Sequence, residues 1–228
     1  MTTTSISEHP TEAPLPWKTI FELIGRPSGA ELPSVSLIAR GPMAPFHILI
    51  ATIISLRTKD EVTLTASRRL LEVAATPEAL LQLPESRISE LIYPAGFYRT
   101  KARNMLRCAE ILVREYGGRT PDTATELLSL PGVGPKTANL VLGLGFGLPA
   151  ICVDTHVHRI PNRAGWIATR NPEETETALK QILPQEHWIE INEILVYFGQ
   201  HICTPQSPRC SVCPITNWCK RIGVKKTR

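Results

Sequence analysis

The segment Leu130-Pro131-Gly132-Val133-Gly134-Pro135-Lys136-Thr137-Ala138 joins two stretches with helical spacing, one ending near Leu130 and one running on to Phe146. It therefore predicts helix, tight turn, helix. Glycines allow backbone conformations closed to other residues and let a phosphodiester approach the turn amides. The second helix starts with unsatisfied N–H groups, so the turn is either an ordinary connection or an anion site for a nucleic-acid phosphate. The residues of that site would be Pro131, Gly132, Val133 and Gly134.

Lys136 lies in the first turn of the second predicted helix, at the positive end of the helix dipole. This position disfavours the ammonium form and favours the neutral amine, which is the nucleophilic form. The alternative is an exposed lysine that contacts a phosphate and takes part in no chemistry.

Asp154 follows Lys136 by eighteen residues, in the segment Val153-Asp154-Thr155-His156-Val157-His158-Arg159. It precedes a helical stretch and is expected to cap it. If its carboxylate faces the same cleft as Lys136, it would also stabilise positive charge that develops on a sugar and help to move protons. The spacing alone leaves both interpretations open.

Helical periodicity recurs along the chain from Trp17 onward. The clearest stripes run from Ala102 to Tyr116, where Gly117 and Gly118 end the helix, and from Trp188 to Ile202. No stretch alternates apolar and polar residues long enough for a strand, so the predicted fold is all-α. Shorter helices are predicted over residues 46–56, 61–73, 77–83, 86–93, 123–130 and 172–183.

Length and composition are those of one large or two small globular domains, with 228 residues of which 43% are hydrophobic. The formal net charge of +4 neither requires nor excludes a nucleic-acid partner. Residues 1–16 lack an apolar period and are predicted to be a disordered tail. We find no apolar span of transmembrane length and therefore expect a cytoplasmic protein with no membrane partner.

Four cysteines near the end of the sequence are separated by six, two and five residues: Cys203, Cys210, Cys213 and Cys219. In a reducing cytosol such a set indicates a metal site rather than disulfides. Structural zinc sites usually show two separated cysteine pairs, whereas one C-x-x-C with longer, unequal arms favours an iron-sulfur cluster. The cysteine spacing alone does not exclude a zinc site. Cys108 and Cys152 lie in apolar stretches and are predicted core residues.

Three motifs together carry a family resemblance: LPGVGPKTAN at 130–139, VDTHVHR at 153–159, and the C-x6-C-x2-C-x5-C tail. From about Trp17 to Cys219 the chain resembles endonuclease III, within the helix-hairpin-helix DNA glycosylase superfamily. The resemblance implies a bifunctional DNA glycosylase and abasic-site lyase of base excision repair. Its partner would be double-stranded DNA that contains damaged, oxidised pyrimidines or abasic sites.

The resemblance also implies roles for individual residues. Lys136 would attack C1′ of a flipped nucleotide, the base would depart, and β-elimination from the Schiff base would nick the strand 3′ to the lesion. Asp154 would be the assisting carboxylate. The cysteine set Cys203, Cys210, Cys213 and Cys219 would hold a 4Fe-4S cluster, with Arg209 as the only charge on the loop between the first two.

Two loops would fill the space that a flipped nucleotide leaves, namely residues 55–60 and residues 95–98. Both depart from the commonest pattern of the family, because Arg57 stands where glutamine is frequent and Phe97 where leucine is frequent. Arginine could hydrogen-bond an orphaned base and phenylalanine could wedge between base steps. The preferred lesion and opposite base are therefore in doubt. Pro161 is expected to bend or interrupt the helix after Asp154.

The implied fold has two helical lobes that flank a DNA-binding cleft. A six-helix lobe would span residues 44–150 and contain the hairpin near 130–138. A discontinuous iron-sulfur lobe would combine residues 17–40 with 151–228 and carry the cluster loop 203–219. We expect a monomer of bacterial or archaeal type, associated with the nucleoid through DNA.

Two alternatives stay open. A mismatch-specific, monofunctional glycosylase would share the hairpin, the aspartate and the cluster, but it would lack the lysine at position 136. A non-catalytic helix-hairpin-helix protein with a structural metal would bind DNA and require neither Lys136 nor Asp154.

Overall fold

The computed structural model of the protein describes residues 14–29, 32–39 and 44–228. Residues 1–13 of the predicted N-terminal tail lie outside this part of the chain. No helix within the described ranges is long and apolar enough to cross a membrane.

The described residues form α-helices and no strand, as predicted. The helices are α1 (Trp17–Ile24), α2 (Ser34–Ile38), α3 (Ala44–Ser55), α4 (Asp60–Val73), α5 (Pro77–Leu81), α6 (Glu85–Ile92), α7 (Tyr98–Tyr116), α8 (Ala124–Ser129), α9 (Pro135–Leu140), α10 (Thr155–Ala164), α11 (Pro172–Ile182) and α12 (Ile191–His201). Short 3-10 turns cover Gln185–His187, Cys210–Val212 and Thr216–Trp218.

The first hydrophobic core lies among α3 to α9, and its centre is α3. Almost every side chain of α3 from Phe46 to Ile54 is buried, because other helices cover it on several sides. The amphipathic stripe of α7 adds Met105 and Leu112 to the same core. Helix α2 packs on α3 and α4 and contributes Val35, so residues 34–38 lie with this core and not with α1.

The second hydrophobic core joins the start of the described chain to its end. Trp17, Ile20 and Phe21 of α1 pack with α10 and α12. The indole nitrogen of Trp17 donates to the carbonyl of Ile182 at 2.8 Å, which fixes α1 to the end of α11. The predicted lobe boundaries stay a prediction, and α2, which the family resemblance assigns with residues 17–40 to the iron-sulfur lobe, packs on the first core.

Two helices differ in detail from the sequence prediction. The helix after the glycine turn changes at Val141 into a π-helical segment, Val141–Gly145, where Gly145 lies so close to Pro45 that a Cβ would be 3.0 Å from its Cα. Helix α10 is not interrupted at Pro161 but continues to Ala164. The side-chain amide of Asn162 donates to the carbonyl of His158 at 2.7 Å in the turn that contains the proline.

Candidate active site and cluster site

The glycine turn connects α8 and α9 as a hairpin, in agreement with the sequence prediction. Gly132 has a φ of +79°, and a Cβ there would be 2.6 Å from the side-chain nitrogen of Asn104 on α7. Val133 is buried and fastens the turn to the core beneath it. A Cβ on Gly134 would meet nothing within 4 Å, so the space beside this glycine is open.

Cys108 of α7 also contacts the hairpin, from the side that faces the first core. Its thiol donates to the carbonyl of Pro131 at 3.1 Å. Burial raises the pKa of Cys108 to about 12, so the sulfur keeps the proton that this contact uses. Cys108 and Cys152 are both buried, which confirms the sequence prediction that they are core residues.

Lys136 and Asp154 line one cleft between the two cores, with a volume of about 220 Å³. Lys136 comes from the first turn of α9, and Asp154 is the residue before α10. Other walls of the cleft come from the end of α3, the α3–α4 loop and α12, including Ser55, Thr58 and Asn192. The structure therefore places the two residues in the shared cleft that their proposed chemistry requires.

Asp154 caps α10, as predicted, and still presents a carboxylate to the cleft. The backbone amides of His156 and Val157 both donate to Oδ1 of Asp154, each at 2.9 Å. Oδ2 makes no hydrogen bond with any residue in the described ranges. The cap therefore fixes the orientation of the carboxyl group and leaves one oxygen for a ligand.

His156 is a further residue of this cleft to which the sequence analysis gives no role. Burial lowers its pKa, and this outweighs the opposing effect of the Asp154 carboxylate, so the imidazole is held in the neutral form. Its Nδ1 lies 3.1 Å from Nη2 of Arg159. Gly199 of α12 is required here, since a Cβ at that position would be 2.1 Å from Nδ1 of His156. The His156 imidazole therefore packs directly against the backbone of Gly199, which is 43 residues away in the sequence and could not be inferred from local pattern.

Arg57 and Phe97, predicted from two separate loops, lie next to each other on the surface. The Arg57 guanidinium carbon is 5.5 Å from the centre of the Phe97 ring, a cation–π contact. Both residues are exposed, and Phe97 keeps 63% of its accessible surface. Both also have left-handed backbone, with φ of 54° and 56°, which is costly for side chains of this size.

The four clustered cysteines surround a single cavity in the second lobe. Its wall is otherwise largely apolar and includes Ile160, Phe198, Ile202 and Ile215. Among the described residues, no three His, Cys, Asp or Glu side chains are placed to hold a single metal ion. A four-thiol set around one apolar cavity fits a four-thiolate iron-sulfur cluster. The thiols belong to Cys203, Cys210, Cys213 and Cys219.

The cluster loop is fastened to α10 by two arginines. Arg159 donates to the carbonyl of Cys203 at 2.9 Å, and Arg163 donates to the sulfur of Cys203 at 3.3 Å. Arg163 also reaches the carbonyls of Thr204 and Pro205, at 2.8 and 2.9 Å. Arg209 is exposed on the same loop and lies outside the cleft of Lys136.

His201, two residues before the first cysteine of the set, lies outside the thiol cavity. Its Nδ1 is 2.9 Å from the carbonyl of Tyr197, so its contact is local to α12.

Comparison with known proteins agrees with this geometry. Residues 50–185 match the HhH-GPD superfamily of base excision DNA repair proteins, and residues 203–219 match the iron-sulfur binding domain of endonuclease III. Endonuclease III of Thermotoga maritima is 52% identical over 176 residues, which are 77% of this chain and 83% of that protein. The chain belongs to the endonuclease III family. As a member of that family it is a DNA glycosylase and abasic-site lyase of base excision repair, and it carries a 4Fe-4S cluster.

A further relative and a solved structure show how much of the chain resembles endonuclease III. The chloroplastic endonuclease III homolog 2 of Arabidopsis thaliana is 46% identical over 220 residues, which are 89% of this chain and 57% of that longer protein. A solved structure described as a trapped endonuclease III-DNA covalent intermediate, an estranged-adenine complex, has a TM-score of 0.79 at 33% identity. The superposition covers 90% of this chain and 94% of the chain in that structure. The family partner is therefore DNA.

Proposed function

We propose that this endonuclease III family member removes oxidised pyrimidines from duplex DNA, with Lys136 as nucleophile and Asp154 as its carboxylate partner. The observation that carries the proposal is the single cleft that both residues line. A glycosylase needs the amine and the carboxylate within reach of one sugar, and a cleft lined by both provides this. The similarity to a trapped covalent intermediate of endonuclease III with DNA supports a covalent route for this chain.

The hairpin would bring the DNA strand to Lys136. The open space at Gly134, one residue before the helix that carries the lysine, would let a backbone phosphate approach the amides at the start of α9. A phosphate held there fixes the strand without reading a base. The flipped nucleotide would then enter the cleft beside it.

The chemistry would begin with attack of the Lys136 amine on C1′, while the bond from C1′ to the base breaks and the base leaves with the bonding electrons. The lysine nitrogen then loses a proton, the sugar ring opens, and a Schiff base forms between Nζ and C1′. Loss of a C2′ proton expels the 3′ phosphate and nicks the strand. Water finally hydrolyses the Schiff base and regenerates Lys136.

Asp154 would act on this reaction through its charge and its proton affinity. Its Oδ1 is engaged by the α10 amides, so Oδ2 is the oxygen that would face the sugar. There it would stabilise the positive charge that develops as the base departs, and it would accept protons from the lysine nitrogen. The neutral imidazole of His156 beside it adds no competing positive charge.

The remaining expected residues complete the proposal. Pro131 and Val133 shape the phosphate turn, Arg57 and Phe97 fill the space of the flipped nucleotide, and Arg209 contacts DNA from the cluster loop. Cys203, Cys210, Cys213 and Cys219 would supply the thiolates of the cluster, which would tie the cluster loop together. Action as a monomer in a bacterial or archaeal cytoplasm stays a prediction.

A lesion panel tests the substrate class. Duplexes of one sequence would carry an oxidised pyrimidine, an oxidised purine, a mismatched thymine or an abasic site, and the cut ends would be analysed. We expect excision and a nick 3′ to the lesion for the oxidised pyrimidine, and a nick alone at the abasic site. Removal of the mismatched thymine without a nick would instead favour the monofunctional, mismatch-specific alternative.

A further inference from the structure

Lys101 is a buried lysine whose contacts lie in a different segment of the chain. It belongs to α7, one turn after Phe97, and only 5% of its surface is accessible. Its Nζ donates to the carbonyls of Ile54 and Leu56, each at 2.6 Å, and to the hydroxyl of Thr58 at 2.8 Å. An ammonium group has three donors, and here all three are used.

These contacts connect the two loops that carry Arg57 and Phe97. The carbonyls of Ile54 and Leu56 lie at the end of α3, where a helix leaves acceptors unsatisfied and favours a cation. The backbone amide of Lys101 also donates to the carbonyl of Phe97 at 3.0 Å. One residue therefore holds the end of α3 and the start of α7 together.

Thr58 and Gly96 bring the loops into direct contact. The hydroxyl of Thr58 accepts from the Gly96 amide at 3.1 Å, in addition to the bond from Lys101. A Cβ on Gly96 would be 2.5 Å from the backbone carbonyl of Arg57, so only glycine allows this approach. Thr58 also lines the cleft of Lys136 and Asp154, which places the loop contact at the edge of that cleft.

We propose that Lys101 is a positioning residue that fixes Arg57 and Phe97 as one stacked wedge, which enters the DNA as a unit when the damaged nucleotide leaves the helix. The inference rests on the proposed function of the cleft. The cation–π contact of Arg57 with Phe97 and the three hydrogen bonds of Lys101 hold this arrangement before DNA arrives. The costly left-handed backbone of both residues persists because these surrounding contacts fix it. A preformed wedge avoids the entropy cost of ordering two loops during binding.

Binding to a duplex with a tetrahydrofuran abasic-site analogue tests the wedge without any chemistry. All variants would be made in a Lys136→Gln background, so a failure of the proposed nucleophile leaves the assay interpretable. The quantity measured is the ratio of Kd for undamaged duplex to Kd for the analogue duplex. Arg57→Ala and Phe97→Ala should each lower this ratio about tenfold, the effect of losing one stacked group. Because Arg57 and Phe97 act as one unit, the double substitution should lower the ratio little more than either single substitution.

Lys101→Met should lower the same ratio about tenfold, and in that background Arg57→Ala should have no additional effect. Arg103→Met is the matched control, because Arg103 lies on the same helix with an exposed side chain. It should leave the ratio unchanged. If Lys101→Met keeps the ratio, or weakens binding to both duplexes equally, Lys101 does not position the wedge.

A second pair of variants covers the case in which Lys101→Met does not fold. Thr58→Val removes the hydroxyl that joins Lys101 to Gly96, whereas Thr58→Ser keeps it. The ratio should fall with valine and be restored with serine. Equal ratios for the two variants would overturn the proposal, and so would a parent protein that fails to distinguish the analogue duplex from the undamaged one.

Discussion

Arg163 donates a hydrogen bond to the sulfur of Cys203 at 3.3 Å. Arg163 lies in the last turn of α10, the same helix that Asp154 caps at its first turn. The cluster loop and the proposed catalytic carboxylate are therefore attached to opposite ends of one ten-residue helix.

Replacing Arg163 with methionine should loosen the cluster loop. The change keeps an unbranched side chain but removes the hydrogen bonds to Cys203, Thr204 and Pro205. Bonds from charged donors are worth about 1.5–3 kcal/mol each when buried, and less here because the site is partly exposed. The visible absorption of the cluster should decay several-fold faster in a chelator. Arg68→Met on the exposed face of α4 should not change the decay, and equal decay in all three proteins would contradict this role.

Asp154→Asn and Asp154→Ala separate the capping role of the residue from its chemistry. Asparagine is as good an N-cap as aspartate, so the thermal midpoint should stay near that of the unaltered protein. Loss of the carboxylate should nevertheless slow base excision by about 100- to 10,000-fold. Alanine should be as slow and should also lose about 1 kcal/mol of stability. An active Asn variant would show that the residue only caps α10.

Gly132→Ala and Gly134→Ala distinguish the fold of the hairpin from its DNA contact. Alanine at 134 meets no atom within 4 Å, so stability should be kept while a methyl group blocks the approaching phosphate. We expect DNA affinity to fall about tenfold, or about 1.4 kcal/mol. Alanine at 132 would have positive φ and collide with Asn104, so it should cost about 1–3 kcal/mol of stability. Unchanged DNA affinity for Gly134→Ala would remove the phosphate site from the account.

Lys101 should give the protein a measurable pH dependence. Burial lowers its pKa from 10.5 to about 8. In the unfolded chain the Lys101 amine has its ordinary pKa of 10.5. Between about pH 8 and pH 10.5 the unfolded chain therefore binds more protons than the folded protein. The free energy of unfolding should therefore rise with pH across this window. Urea denaturation at several pH values should show that Lys101→Met removes this rise and Arg103→Met keeps it. An identical pH profile for Lys101→Met would contradict a buried ammonium.

The helices and the hairpin could be predicted from sequence because their signals are local. Helical periodicity, the glycines after Tyr116 and the Asp154 cap of α10 all act within a few residues, and the structure shows each of them. The Asp154 side chain accepts from the His156 and Val157 amides, each at 2.9 Å, as an N-cap should. The four cysteines were equally clear, since their spacing requires no knowledge of the rest of the fold.

The features that sequence analysis missed depend on partners far along the chain. Lys101 precedes an amphipathic stripe and resembles an ordinary surface lysine, because its acceptors are more than 40 residues away. The stacking of Arg57 on Phe97 likewise follows from packing of α3 against α7. Of the bend or interruption expected at Pro161, the structure shows no interruption, because α10 runs unbroken to Ala164.

The most direct test of the central claim is to identify the residue that borohydride traps on DNA. The protein would be incubated with a duplex that contains an abasic site, reduced, digested and analysed by mass spectrometry. We predict one modified peptide with the sugar remnant on Lys136, and no adduct from Lys136→Gln although this variant still binds the duplex. An adduct on another amine such as Lys101, or continued trapping by Lys136→Gln, would contradict the account.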